Sequence, residues 1–268
     1  MILLGYLASV LMGLSLGLIG GGGSILTVPI LVYFFSTEPL VATSESLFVV
    51  GSTALIGGAI SYLNKEVNLV TVFKFALASF LGVFLMKKFI LKDIPDILFR
   101  YNDFIFTKSL LIMIVFAVLM LVVSASMIKT KKSKSINTES DSTKQSLKIA
   151  GQGFFVGNIT GLVGAGGGFL IVPALVNLVG LNMRAAIGSS LLIIAANSLF
   201  GFSVSLSTGL KPDWTILLSI LALSVTGLFI GRTFSKRVPE SKLKKGFGYF
   251  VLVMGSFILV DQLIKLKF

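Results

Sequence analysis

The chain has 268 residues, of which 55% are hydrophobic and 13% charged, with a net charge of +12 and a mean hydropathy of +0.98. A soluble globular domain carries about a quarter charged residues, so this chain lacks the polar surface to stay in water and the bilayer is its solvent. It has no cysteine and no histidine, which removes thiol chemistry, zinc sites built on those ligands, haem ligation and the usual general base; no catalytic residues, metal or cofactor are expected, and an enzyme is not.

Taken from the N-terminus, residues 1–37 carry no charge, and the first charged residue is Glu38. Met1–Leu18 has neither a basic leading region nor a small-residue cleavage site, so it reads as a retained membrane segment. Apolar runs divide the first half into segments at about 1–19, 24–36, 40–63, 68–86 and 105–128,. The polar, lysine-rich stretch 129–148 reads as a solvated linker. The second half repeats the pattern at about 149–163, 168–180, 185–207, 213–231 and 246–264. The domain division is therefore 1–128, a basic linker at 129–148, and 149–268.

The halves are homologous. Sliding the chain by 144 residues lays 13–58 on 157–202 without a gap, with 16 identities in 46 pairs. Gly20, Gly22, Gly23 and Pro29 fall on Gly164, Gly166, Gly167 and Pro173, and Ser46-Leu47 falls on Ser190-Leu191. With one further residue of shift, Gly82 and Phe84 meet Gly227 and Phe229. Apolar similarity alone does not keep glycines and prolines in register.

Counting Lys and Arg near segment ends places the linker and loop 232–245 in the cytoplasm and loop 87–103 outside, with 14 basic residues inside, 8 outside and Lys74 within a span,. Homologous loops then lie on opposite sides. The expected fold is an all-α polytopic membrane protein of two inverted repeats, an architecture recurrent in secondary transporters. At about 1.5 Å per residue, 149–163 and 168–180 reach only about 20–22 Å against a hydrocarbon core of about 30 Å. The first two segments of each half can therefore be a re-entrant hairpin around a glycine turn.

Those turns, Gly20, Gly21, Gly22, Gly23 and Ser24 in one half and Gly164, Gly166, Gly167 and Gly168 in the other, are the leading candidate binding residues. Consecutive glycines cost about 1 kcal/mol each in a helix. They free backbone N–H groups just where a following helix presents its positive end, a setting that attracts anions without a charged side chain. The alternative is that they only permit close packing. A second set opens the third segment of each half: Thr43, Ser44 and Ser46 in "ATSESLF" and Ser189 and Ser190 in "AIGSSLL", with Thr53 and Asn197 about two turns deeper,. Glu45, an acid inside an apolar segment, is the candidate for proton coupling. Lys74 reads as a snorkelling side chain, and Asp213-Trp214 as an interfacial helix start.

"GLIGGGGSILTVPIL", "GLVGAGGGFLIVPAL", the Ala-x-Gly-Ser-Ser-Leu run at 186–191 and "KPDW" resemble the TauE/SafE sulfite exporter family over nearly the whole chain. The resemblance implies a prokaryotic inner-membrane permease for sulfite, sulfonates or related sulfur anions. Ser44-Glu45 departs from the Gly-Ser pattern of the second half, and Phe99–Lys108 lengthens the loop before the fifth segment. The expected partners are a small anion and the lipid bilayer, with a homodimer left open and no nucleic acid. An anion channel and a non-transporting scaffold are the competing readings.

Overall fold

The computed structural model describes residues 2–21, 23–101, 104–128, 142–163, 168–177, 179–235 and 239–265. All ten expected segments are helices. They are α1 (Ile2–Ile19), α2 (Ser24–Phe34), α3 (Pro39–Leu63), α4 (Leu69–Leu85), α6 (Lys108–Ile128), α7 (Ser142–Val163), α8 (Gly168–Asn177), α9 (Met183–Ser207), α10 (Trp214–Ser235) and α11 (Glu240–Lys265). After α4 come a π-helical turn, Met86–Ile90, and the short α5 (Leu91–Asp93). Six of the described helices are long and apolar enough to cross a bilayer, including α1, α3, α9, α10 and the Leu69–Ile90 rod. The chain is a polytopic α-helical membrane protein.

Helix packing exchanges partners between the halves. First helix α1 lies along the other half's fourth, α10, while α4 lies along α7; the third helices, α3 and α9, pair with each other, and so do the fifth, α6 and α11. Reciprocal pairing of this kind is the mark of a two-fold relation. Glycines set the distance. On α1, Gly13 packs on Ser224 and Gly17 on Leu228, and on α10, Gly227 packs on Val10 and Gly231 on Leu14. The α7 glycines Gly153 and Gly157 meet the Phe75 and Ser79 backbone of α4 in the same way. In lipid, close packing of this small-residue type replaces a hydrophobic drive between helices. Residue numbers rise together along both contacts, so α1 runs parallel to α10 and α4 to α7.

The central pair runs the other way. Gly51 faces Ser198 and Leu199, Gly58 faces Leu192, Gly201 faces Leu47 and Gly188 faces Ser61. Homologous helices α3 and α9 are thus antiparallel, crossing near Thr53 and its counterpart Asn197. Leu47, Val50, Ala54, Leu191, Ile193 and Ile194 are buried around the crossing.

Two elements differ from expectation. Helix α7 begins at Ser142, so seven residues assigned to the linker continue the helix, and α7 reaches about 33 Å at 1.5 Å per residue. Each glycine turn therefore joins a long helix to a short one of 11 or 10 residues rather than two short arms. The long loop before α6 holds a hairpin, β1 (Ile97–Tyr101) and β2 (Phe104–Thr107), with Tyr101 opposite Phe104 and Phe99 opposite Phe106. Aromatic and β-branched residues flanking a two-residue connection favour that pairing over helix.

Candidate functional site

The most distinctive side chain is Lys87. The π turn that prolongs α4 leaves it 6% exposed, while neighbouring Lys88 stays exposed with its ammonium 5.1 Å from the Phe84 ring centroid. Lys87 Nζ donates to Ser44 Oγ on α3 (2.9 Å) and to Ser205 Oγ on α9 (2.7 Å). Among the described residues no carboxylate lies within ion-pair distance of it. A buried cation held only by hydroxyls is costly, and its usual remedy is an opposite charge. Lys87 forms the floor of a mouth of about 740 Å³, whose wall includes Leu40, Lys88, Lys108, Thr208 and Leu210. An ammonium has three donors, so one remains beyond the two serines. The Ser44 hydroxyl accepts from Lys87 and keeps its own proton to donate.

At the other end of the α3–α9 pair is a smaller mouth of about 260 Å³, lined by Ser61, Asn64, Glu66, Arg184 and Arg232 among others. Arg232 donates to Gly57 O (3.0 Å), Ser61 Oγ (2.9 Å) and Glu66 Oε2 (3.3 Å). The repeat relates the two mouths. Ser205 corresponds to Ser61 at the 144-residue shift, and Lys87 to Arg232 at the shift of 145 that aligns Gly82 with Gly227. Each cation thus binds the same serine position on the opposite half. Between Ser44 and Ser61, 17 residues of α3 separate the mouths by about 25 Å.

Glu45 has a similar counterpart. Its Oε1 accepts the Asp213 N–H (3.1 Å) and it is 3% exposed. At the matching positions of the repeat, Ser189 Oγ accepts the Asn68 N–H (2.9 Å). Asn68 and Asp213 are the capping residues of α4 and α10, accepting from Thr71 N and from Thr215 and Ile216 N respectively. An N-cap residue leaves its own N–H without a helical partner, and Glu45 and Ser189 supply one. The Ser44-Glu45 departure noted in the sequence has a structural use: the first residue binds Lys87 and the second holds α10. Trp214 packs edge-on against Phe48 next to this cap.

The glycine turns come together. Gly21 packs on the Gly168 carbonyl, and a Cβ on Gly168 would lie 2.9 Å from Gly21 O, so neither position accepts a side chain. Gly20 takes φ +77°, a conformation natural to glycine,, and its carbonyl accepts from Ser190 Oγ (3.0 Å). Gly23 packs on the α1 backbone at Met12, and Ser24 Oγ donates to Gly21 O (2.8 Å). Ser46 Oγ donates to Thr43 O (2.9 Å). Gly22, Gly164, Gly166 and Gly167 lie outside the described residues. Asn197 Nδ2 donates to Ser79 Oγ (2.7 Å), while its fully buried Oδ1 and the adjacent Ser198 Oγ have no partner among the described residues.

Of the expected residues, Gly20, Gly21, Gly168 and Ser190 come together, Gly23 packs on α1, Ser24 and Ser46 bond to nearby backbone carbonyls, Ser44 binds Lys87, Asn197 bonds to Ser79, and Glu45 and Ser189 support helix caps. Lys87 and Arg232 were not among them and counted only as loop charges. The signal that finds them is the repeat itself, carried past Gly82 and Gly227.

The sulfite exporter TauE/SafE family model matches residues 5–258. A Xylella fastidiosa protein named "Probable membrane transporter protein" is 30% identical over 256 residues, covering 93% of this chain and 91% of that one. A Haemophilus influenzae protein with the same name is 31% identical over 277 residues, with 94% and 96% covered. The Bacillus subtilis "Probable membrane transporter protein YdhB" is 24% identical over 255 residues, with 93% and 96% covered. With that match along nearly all its length and a membrane-spanning helical fold, the chain belongs to the TauE/SafE sulfite exporter family of membrane transporters.

Proposed function

We propose that this protein is a secondary transporter for a small sulfur oxyanion, sulfite or a sulfonate, working by alternating access in a prokaryotic inner membrane and coupled to protons. The observation that carries this reading is Lys87: a buried ammonium, unpaired with acid among the described residues, lining an open mouth together with Ser44 and Ser205. One N–H of Lys87 and the O–H of Ser44 are two donors for the same oxyanion. The apposed starts of α2 and α8 add helix-end potential along the route.

Antiparallel packing of the homologous helices α3 and α9 supports inverted repeats. Asn64, Glu66 and Arg184, at or beyond helix ends around the Arg232 mouth, belong to the side that the Lys/Arg count assigns to the cytoplasm, and Lys87 and Thr208 belong to the other. A carrier is favoured over a channel by the buried crossing of α3 and α9 between the mouths, where Thr53, Ala54, Ile194 and Asn197 are all fully enclosed. A thermal-shift screen of purified protein against sulfite, sulfate, thiosulfate, sulfoacetate, phosphate and chloride tests the substrate class. Sulfur oxyanions should stabilise it above chloride; equal responses to all, or a response to phosphate alone, would displace this reading.

A further inference from the structure

The two mouths share more than a cation and a serine. Backbone hydrogen bonds Asn64 N to Ile60 O, Lys65 N to Tyr62 O and Glu66 N to Ser61 O recur as Thr208 N to Val204 O, Gly209 N to Leu206 O and Leu210 N to Ser205 O. The α3–α4 and α9–α10 corners are therefore superimposable through Glu66 and Leu210, with Lys65 and Gly209 both at positive φ. Five matched positions line both mouths: Leu40 and Arg184, Lys87 and Arg232, Ser205 and Ser61, Thr208 and Asn64, and Leu210 and Glu66. The decisive difference is the last. The lining position that Glu66 fills beside Arg232 is a leucine, Leu210, in the Lys87 mouth, and the Arg232 mouth has about one-third the volume.

We infer that the Arg232 mouth is a second site for the same class of oxyanion, and that Glu66 is its built-in counter-ion, displaced when the anion binds. This rests on the reading of Lys87 as an anion site, because the argument is that the repeat built one site twice. A carboxylate presents a guanidinium with the same kind of charged acceptor as sulfite or a sulfonate. Glu66 is only partly buried, with its side chain 36% exposed against 17% for Arg232, so it has water to swing into. Arg184 lines the same mouth and adds a second positive charge for the arriving anion. The two ends thus differ in readiness: among the described residues the Lys87 mouth has no acid and is open, whereas the Arg232 guanidinium is already paired with Glu66 and its mouth is narrow. Release at the Arg232 end follows from the same competition, since Glu66 can take the guanidinium back from the anion.

The test is equilibrium binding of radiolabelled sulfite to purified, folded protein, with chloride as competitor control. Lys87→Met should weaken binding at least about tenfold, the size of one charge-assisted hydrogen bond. Adding Glu66→Gln to Lys87→Met should restore about tenfold by unmasking Arg232, and adding Arg232→Gln as well should abolish the recovery. Glu66→Asp in the Lys87→Met background, which keeps the charge but withdraws it by one methylene, should recover less than Glu66→Gln and serves if the glutamine variant does not fold. Weak binding in Lys87→Met with no recovery on either Glu66 change overturns this inference and leaves the Lys87 site standing. Undiminished binding in Lys87→Met overturns the Lys87 reading and the inference together.

Discussion

Replacing Lys87 by methionine separates an anion-binding role from a structural one, because the two roles predict opposite results. Methionine keeps most of the length and apolar volume of the lysine stem and removes the ammonium. If the ammonium is there to bind anion, affinity falls by the value of a hydrogen bond to a charged group, about 1.5–3 kcal/mol, or roughly 10–150-fold. Stability should hardly change. Two bonds to Ser44 and Ser205 are lost, but the cost of keeping a cation out of water is lost with them. Both hydroxyls border the mouth, where water can replace Lys87, and Ser205 retains its bond to Gly201 O (3.0 Å). A net change within about 1 kcal/mol corresponds to a Tm shift of no more than about 4 °C for a chain of this size. Lys87→Arg, which keeps the charge, should bind better than Lys87→Met. The assay is sulfite titration followed by thermal unfolding of both variants. A Lys87→Met protein that melts like wild type and binds sulfite with wild-type affinity would refute the reasoning; so would one that loses many degrees of Tm while its folded fraction binds normally.

Gly21→Ala should cost about 1–3 kcal/mol of stability by overpacking, since its Cβ meets the Gly168 backbone, whereas Gly151→Ala, with nothing within 4 Å, should be neutral or stabilise by up to about 1 kcal/mol; parallel thermal melts compare them. Glu45→Gln keeps an acceptor for the Asp213 N–H and removes the titrating oxygen, so it should retain fold and sulfite exchange but lose dependence on a pH gradient; unchanged dependence in proteoliposomes would leave Glu45 as a cap support alone. Single cysteines at the symmetry-related exposed positions Asn64 and Thr208, in a chain with no cysteine of its own, should label from opposite sides of the membrane: Thr208→Cys on intact cells, Asn64→Cys only after permeabilisation. Labelling of both from one side would remove the inverted arrangement.

Helices were legible because their cause is one-dimensional. Apolar runs of membrane length appear directly in the sequence, and the glycine–proline register betrays duplication without any knowledge of packing. Boundaries failed where polar residues continue a helix, as at Ser142–Lys148, or where an aromatic, β-branched stretch pairs locally, as at Ile97–Thr107. The candidate site was half legible. The two glycine turns stood out, since four glycines in a row need a reason, but in the described residues the visible use of Gly21 and Gly168 is close approach of backbones. Lys87 was read as one more loop charge, because counting basic residues for topology treats each as solvated. Its burial depends on a π turn that adds five residues to the α4 rod and on serines 43 and 118 positions away. Glu45 stood out as a lone acid, yet its partner is a backbone N–H 168 residues distant, which no local pattern announces.

Transport itself is the direct test of the account. Purified protein reconstituted in liposomes loaded with unlabelled sulfite should take up external radiolabelled sulfite faster than empty liposomes do, saturably, and chloride inside should not substitute. Such counterflow is the signature of a carrier that exposes one site to each side in turn. Uptake that is linear with concentration and indifferent to internal sulfite, or no uptake from protein that binds sulfite, would contradict it.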